Sequence, residues 1–344
     1  MNGPFERIAG DTVLPSRLRG GVVAIGNFDG VHRGHQAVLQ QALDEAQRRG
    51  VPALVLTFEP HPRTVFRPDM PLFVLTPPPV KARLLSDFGF DAVIEQEFTR
   101  EFSHRSAEAF ITDILERNLG ISCAVTGFDF HFGKDRQGGP AFLAAAGQRH
   151  GFGVVQVEAF CDEGTEVISS SRIRALLTEG RPEEAAGLLG YRFTVESEVI
   201  GGQQLGRTLG FPTANMRLSP QTILKEGIYA VRFRRQDGSI HDGVASFGRR
   251  PTVDDNGAPL LETFLFDFSD SLYGETCEVS FFAYLRGEVK FEGLDPLVVQ
   301  MKRDEAEARA LLAGVRPLSA LDAKIAFQNV ARPSGRATDE NRSG

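Results

Sequence analysis

The chain has 344 residues, 42% of them hydrophobic and 24% charged, with a formal net charge of −7 and three cysteines. That length suggests two domains, and the composition is that of a folded globular chain, not a disordered or membrane-spanning one. The acidic balance holds in both halves and excludes a dedicated nucleic-acid binder. Cys123, Cys161 and Cys277 are too scattered for a disulfide framework or a Cys-based zinc site, and no basic-then-apolar leader follows Met1. A reducing cytoplasm and no secretory signal are therefore expected.

The first half alternates strands and helices. Val22 to Ile25 is a short apolar run stopped by Gly26, the pattern of a buried parallel strand. His35 to Arg49 sets Val38, Leu39, Ala42 and Ala46 at helical spacing. Val51 to Phe58 is the next strand, followed by a proline-rich loop to Pro79. Further strands are expected at Asp91–Ile94, Ala124–Gly127 and Val154–Val157, and helices at Val80–Phe88, Ser106–Asn118 and Gly139–His150. Strands separated by helices imply a parallel sheet with crossovers.

The pattern changes near residue 190. From Tyr191 to Leu285 short strands are separated by turn signals at Gly201-Gly202, Asp237-Gly238 and Asn256-Gly257, which suggests a closed or nearly closed β-barrel. One helix follows, with Asp295 as N-cap, Pro296 at the first helical position, and an apolar face of Leu297, Met301, Ala308, Leu311 and Leu312. Arg316 to Gln328 reads as an extra helix, and the polar end to Gly344 as disordered.

The first chemical constellation is Gly26-Asn27-Phe28-Asp29-Gly30-Val31-His32-Arg33-Gly34-His35, between the first strand and the first helix. Ligands of open α/β sheets bind beyond the carboxyl ends of strands, and a helix N-terminus there favours phosphate. Glycines 26, 30 and 34 admit close backbone approach. His32 and His35, three apart, share a helix face and could stabilise charge at an attacked phosphorus. Taken singly, a glycine-rich turn is common, a lone His is more often structural, and a His-x-x-His zinc site lacks an evident third ligand.

The whole string resembles the His-x-Gly-His signature of the nucleotidylyltransferase superfamily, in the form found in the bacterial bifunctional riboflavin kinase/FMN adenylyltransferase (FAD synthetase) family. Thr57-Phe58-Glu59-Pro60-His61-Pro62, Gly127-Phe128-Asp129-Phe130-His131-Phe132-Gly133 and Ile168-Ser169-Ser170-Ser171-Arg172-Ile173-Arg174 resemble three further segments of that family. The serines can cap the following helix and donate hydroxyl bonds to phosphate, and Arg172 or Arg174 can neutralise leaving pyrophosphate. A plain N-cap explains the serines taken alone, and core packing explains Phe128, Phe130 and Phe132 as well as contact with a flavin ring does.

The second constellation is Gly206-Arg207-Thr208-Leu209-Gly210-Phe211-Pro212-Thr213-Ala214-Asn215, which resembles the family's riboflavin kinase motif. The upstream Gly201–Thr208 stretch comes within one residue of a Walker A loop, but the lysine is missing and the surroundings are β-rich. Thr213 and Asn215 are hard oxygen donors suited to Mg²⁺ that also holds phosphates. In Leu261–Phe268, alternation puts Glu262 on one face with Phe264, Phe266 and Phe268. A carboxylate on an aromatic face loses solvation and gains basicity, although the pattern alone favours a strand-end Glu in water. Two positions depart from the family: Ser246 stands for Asn, and Phe264 for His or Tyr.

The resemblance implies an α/β chain with two modules and a short extension. A Rossmann-like nucleotidylyltransferase domain with a parallel sheet would span residues 1–186. A six-stranded riboflavin kinase β-barrel with a C-terminal helix would span 187–315, and an extra helix and tail 316–344. It further implies two activities: riboflavin phosphorylation to FMN, and adenylylation of FMN to FAD with release of pyrophosphate. The alternative is adenylylation alone, with the barrel as a flavin-binding module. The implied catalytic residues are Glu262, His32, His35 and Arg172. Gly26, Phe28, Gly30, Gly34, Ser169, Ser170, Ser171 and Arg174 would bind ATP in the first module, and Phe58, His61, Asp129 and Phe130 the flavin. Gly206, Arg207, Gly210, Pro212, Thr213 and Asn215 would bind ATP in the kinase, the last two also holding Mg²⁺. The expected partners are ATP, riboflavin and FMN, with no nucleic acid and no membrane.

Overall fold

Four consecutive apolar residues with almost no solvent exposure, Val22–Ile25, form strand β2 at the middle of a parallel sheet. The structure is a computed structural model and describes residues 4–201, 211, 213–249 and 258–329. These form two compact units, residues 4–170 and 171–329.

In the first unit the strands are β1 (Glu6–Ala9), β2 (Val22–Ile25), β3 (Ala53–Glu59), β4 (Ala92–Glu97), β5 (Cys123–Gly127) and β6 (Gly153–Val157). All are parallel, in the order β1-β4-β3-β2-β5-β6. The chain leaves β2 toward β3 on one side and returns to β5 on the other, so β2 and β5 flank the switch point at which open sheets bind ligands. Helix α1 (Arg33–Arg49) buries Val38, Leu39, Ala42 and Ala46, the predicted stripe, and ends at Gly50 in the left-handed region. Helices α2 (Pro62–Phe66), α3 (Pro78–Phe88) and α4 (Arg100–Ser103) follow. The expected helix at 106–118 begins as α5 (Ala107–Ala109) and continues as a π-helix over Phe110–Leu119. Phe110, Ile111, Ile114, Leu115 and Leu119 pack there with Val23, Ile25, Leu54, Leu56 and Ile94 in one buried cluster. Helix α6 (Pro140–His150) completes the set. Strand β1 was not expected from the sequence.

The second unit opens with α7 (Ser170–Glu179), whose first residue belongs to the first unit, and α8 (Pro182–Leu189). Strands β7 (Thr194–Ile200), β8 (Thr213–Arg217), β9 (Gly227–Arg234), β10 (Ile240–Arg249), β11 (Pro259–Leu265) and β12 (Thr276–Arg286) close into an antiparallel barrel of order β10-β11-β8-β7-β12-β9. Asp237-Gly238 forms the β9–β10 turn, with Gly238 at φ 90°. Register shifts between β12 and β9 near Phe281 and Tyr284 bend the strands, as closure requires. On β11, Leu261, Thr263 and Leu265 face the core.

Helix α9 (Leu294–Gly314) begins two residues earlier than expected: Gly293, not Asp295, is its N-cap, and Asp295 contributes charge to the first turn. Its buried stripe is Asp304, Ala308 and Leu312. Asp304 breaks the apolar pattern because Arg286 of β12 meets its carboxylate with two bonds, at 2.8 and 2.6 Å. The extra helix is α10 (Ala320–Ala326), capped by Ser319. It docks through the fully buried Asp322, paired with Arg192, and through Arg234, which donates to the Lys324 and Ile325 carbonyls at 2.8 and 2.7 Å. The Gly201-Gly202 and Asn256-Gly257 turns fall partly or wholly outside the described residues, as does the tail beyond residue 329.

Candidate functional site

The first unit gathers its candidate residues beyond the carboxyl ends of β2, β3 and β5. The loop after β2 is conformationally demanding. Phe28 and Val31 sit at φ 47° and 38°, a region costing bulky and β-branched residues on the order of 1–3 kcal/mol each. Neighbouring elements hold them there. Gly30 N–H donates to Thr76 Oγ1 at 2.8 Å, and Thr76 N–H to the buried Asp29 carboxylate at 3.1 Å. Gln36 donates to the Val31 carbonyl at 2.8 Å, Ser170 Oγ to the Asp29 carbonyl at 2.8 Å, and Thr57 Oγ1 to the Asn27 carbonyl at 3.1 Å.

His32 is the N-cap of α1. It is buried, and its Nδ1 accepts the His35 N–H at 3.2 Å. The two imidazoles stack with centroids 3.6 Å apart, and the edge of Phe28 meets His35 at 5.4 Å. Gly34 keeps this stack accessible, since a Cβ there would stand 3.2 Å from the His32 ring. Burial first, then His32 and Lys81, push the His35 pKa well below the ordinary imidazole value, so the ring is neutral. Beside the cavity described next, Asn27 Oδ1 and His35 Nδ1 are buried and have no hydrogen-bond partner among the described residues. Orphaned polar atoms beside a cavity mark a ligand position.

That cavity has a volume of about 620 Å³. Gly26, Phe28, His35, Phe58, His61, Asp129, Phe130 and Ser170, all singled out in the sequence, line it together. Phe58 packs near Phe98, Phe102 and Phe110 at 6.0–6.4 Å, and Phe132 against Phe110 and Phe130 at 5.0 and 5.4 Å. Of the three loop phenylalanines, Phe132 is buried and Phe130 half-buried, both lining the cavity, whereas Phe128 is exposed and does not. His32, Gly30 and Gly34 are not among the lining residues. Ser169, Ser171, Arg172 and Arg174 are not among the lining residues. Ser170, expected as a cap, is itself the first residue of α7. Asn27, Phe98, Phe102, Arg105 and Lys134 also line the cavity. The sequence quoted Asn27 only within its motif; the others lie on segments whose approach depends on chain crossing.

In the barrel, strand pairing assembles the second set. Glu262 of β11 lies opposite Asn215 of β8 on one side and Ser246 of β10 on the other, and Phe264 lies opposite Thr213. Glu262 and Phe264 thus share the face of Thr213 and Asn215. Alternation stops there, because β11 ends at Leu265 and Asp267 turns at φ 54°. Phe266 and Phe268 lie beyond the strand, and Phe266 takes Arg309 over its ring at 4.3 Å. Asn215 is buried, and its Oδ1 has no hydrogen-bond partner among the described residues. An unsatisfied hard oxygen on the face of a carboxylate and a threonine hydroxyl fits a small divalent cation. Glu288 had no role in the motif reading, yet a Cβ on Gly248 would stand 2.7 Å from Glu288 Oε1, so the glycine admits that carboxylate. Gly206, Arg207, Gly210 and Pro212 lie outside the described residues.

Comparison with known proteins finds a family match in each half of the chain. Residues 14–172 match the FAD synthetase family model, and residues 189–312 the riboflavin kinase model. A Listeria monocytogenes protein described as bifunctional riboflavin kinase/FMN adenylyltransferase is 40% identical over 85% of this chain and 92% of its own length. Relatives of the same description from Haemophilus influenzae and Escherichia coli K12 are 42% and 39% identical, over 85% and 87% of this chain and 94% and 95% of theirs. Among solved structures, one described as a macrolide-efflux protein from Streptococcus pneumoniae superimposes with a TM-score of 0.77 at 29% identity, covering 88% of this chain and 98% of that one. Among the described residues no helix is long and apolar enough to cross a membrane. With both family models matched in order and relatives aligned over most of their length, this chain belongs to the bifunctional riboflavin kinase/FMN adenylyltransferase family.

Proposed function

We infer that the chain makes FAD in two steps, each in its own module. The observation that carries this is that each compact unit holds its own constellation with an unsatisfied buried polar atom: Asn27 and His35 in the first, Asn215 beside Glu262 in the second. The modules are proposed as residues 1–186 and 187–315, a boundary inside the stretch 173–188 that neither family model matches but C-terminal to the division of the compact units at residue 170.

In the barrel, Glu262 takes the proton of the ribityl 5′-hydroxyl as that oxygen attacks the γ-phosphorus of ATP, and ADP leaves with FMN formed. Thr213 and Asn215 would hold Mg²⁺, which supplies charge neutralisation on the phosphates when bound. Gly206, Arg207, Gly210 and Pro212 are assigned to the same nucleotide. In the first module a phosphate oxygen of FMN attacks the α-phosphorus of a second ATP and pyrophosphate leaves. His35, backed by His32, stabilises the charge that develops. Gly26, Phe28, Gly30, Gly34 and the serines 169–171 seat the ATP, and Arg172 and Arg174 neutralise pyrophosphate. Phe58, His61, Asp129 and Phe130 receive the flavin, a role the aromatic cavity supports. A cytoplasmic setting is proposed as well, supported by three free cysteines.

The test is a time course with riboflavin, ATP and Mg²⁺, resolving the flavins by chromatography. FMN followed by FAD is expected. FAD from supplied FMN but no product from riboflavin would leave adenylylation as the only activity, with the barrel a flavin-binding module. Ser246, directly beside Glu262 in register, would then be the departure to examine first.

A further inference from the structure

Lys81, on α3, is 3% exposed and does not line the cavity. Lysines are almost never buried unless paired. Its ammonium donates to Glu59 Oε1 at 2.6 Å and to the fully buried Thr57 Oγ1 at 3.2 Å. Thr57 in turn donates its own proton to the Asn27 carbonyl at 3.1 Å. The last two bonds run in one direction, from Lys81 through Thr57 to Asn27. Because the lysine occupies a lone pair of the hydroxyl, the hydroxyl proton is left to point at Asn27, and the charge strengthens the bond downstream. Asn27 opens the strained stretch that ends at Val31 and leads into His32 and His35.

Stability does not account for this arrangement. A buried ion pair is commonly no better than a packed apolar pair of the same volume, and α3 buries Val80, Ala82, Leu84 and Leu85 on either side of the lysine. We propose that Lys81 is a positioning residue of the adenylyl-transfer site: through Thr57 it fixes the Asn27 carbonyl, and with it the loop that sets His32 and His35 against the cavity. This rests on the adenylyltransferase reading above. Lys81 touches neither substrate in this scheme. Its neighbourhood to His35 agrees with the direction in which that imidazole is held neutral.

Three variants of the full chain test it: Thr57→Val, Lys81→Met, and the double variant Lys81→Met/Glu59→Gln. The readouts are kcat and KM for ATP and FMN in FAD formation, riboflavin phosphorylation in the same preparations, and the thermal midpoint. Thr57→Val leaves the ion pair intact, so it stays informative if Lys81→Met folds poorly. Both single variants are expected to lose kcat on the order of tenfold to a hundredfold, the scale of a misplaced catalytic group, with both KM values and the kinase rate little changed. The double variant regains the thermal midpoint but not kcat. Recovery of kcat together with the midpoint would reduce Lys81 to a structural ion pair and overturn the proposal, as would an unchanged kcat in Thr57→Val. A wild-type chain that makes no FAD from FMN would sink the adenylyltransferase reading itself.

Discussion

Replacing His32 by Ala removes two separable contributions. One is the helix cap, the Nδ1 acceptor for the His35 N–H at 3.2 Å, worth about 1 kcal/mol. The other is the ring stacked on His35 at 3.6 Å, also worth about 1 kcal/mol. The loss of about 2 kcal/mol should lower the first unit's melting midpoint by about 4–8 °C, using the scaling for units of this size. Asn is among the best N-caps, so His32→Asn should recover about half of that shift while still lacking the ring. FAD formation from FMN should stay low in both variants, by on the order of tenfold to a hundredfold, because His35 loses the surface that orients it. Calorimetry of the full chain and a chromatographic FAD assay give the two readouts. Wild-type FAD formation by His32→Asn would refute the orienting role, and an unshifted midpoint in His32→Ala would refute the capping argument.

Other outcomes follow from the same contacts. Glu262→Gln should abolish FMN formation yet leave FAD formation from supplied FMN intact; loss of both in a folded variant would contradict two independent sites. Asp304→Leu strands the Arg286 guanidinium and should destabilise the second unit by about 3 kcal/mol, most of it recovered in Arg286→Met/Asp304→Leu; denaturant titration checks this. Acidification should weaken the first unit. The His35 pKa lies below its unfolded value, so below about pH 6.5 the unfolded chain binds a proton the native one refuses, and stability falls until pH passes the lowered value. His241, lowered by burial first and then by Arg235, acts in the same sense in the second unit. Glu45, held at about 2 by Arg48 and Arg49, adds its own loss only below the ordinary carboxylate range. Melting His35→Gln alongside wild type from pH 7.5 to 5.5 isolates the first contribution; an identical pH slope in both would remove it.

The central elements were legible because their signals are local. Val22–Ile25 is apolar throughout, α1 carries its stripe at helical spacing, and Asp237-Gly238 suits a tight turn; three of the four motifs of the first site stand at the ends of β2, β3 and β5, and the fourth opens α7. Strand β1 was missed because four residues, Glu6–Ala9, alternate in burial without an apolar run, and its partner β4 lies far along the chain. Asp304 and Lys81 were unreadable for a related reason. A charged residue on an amphipathic helix looks solvent-facing until the strand bearing its counter-charge is known.

What the sequence determined by itself is therefore the repertoire: two modules, the segments that carry chemistry, and the element each segment ends or begins. The tertiary structure decided which of them meet. Glu262 stands beside Asn215 only because β11 pairs with β8 in that register. Phe98, Phe102 and Phe110 reach Phe58 only because the sheet order brings β4 beside β3 and the π-helix across them. Backbone periodicity and turn chemistry are written residue by residue, whereas pairing between distant segments is settled by which arrangement buries their shared surface and satisfies the polar groups enclosed with it.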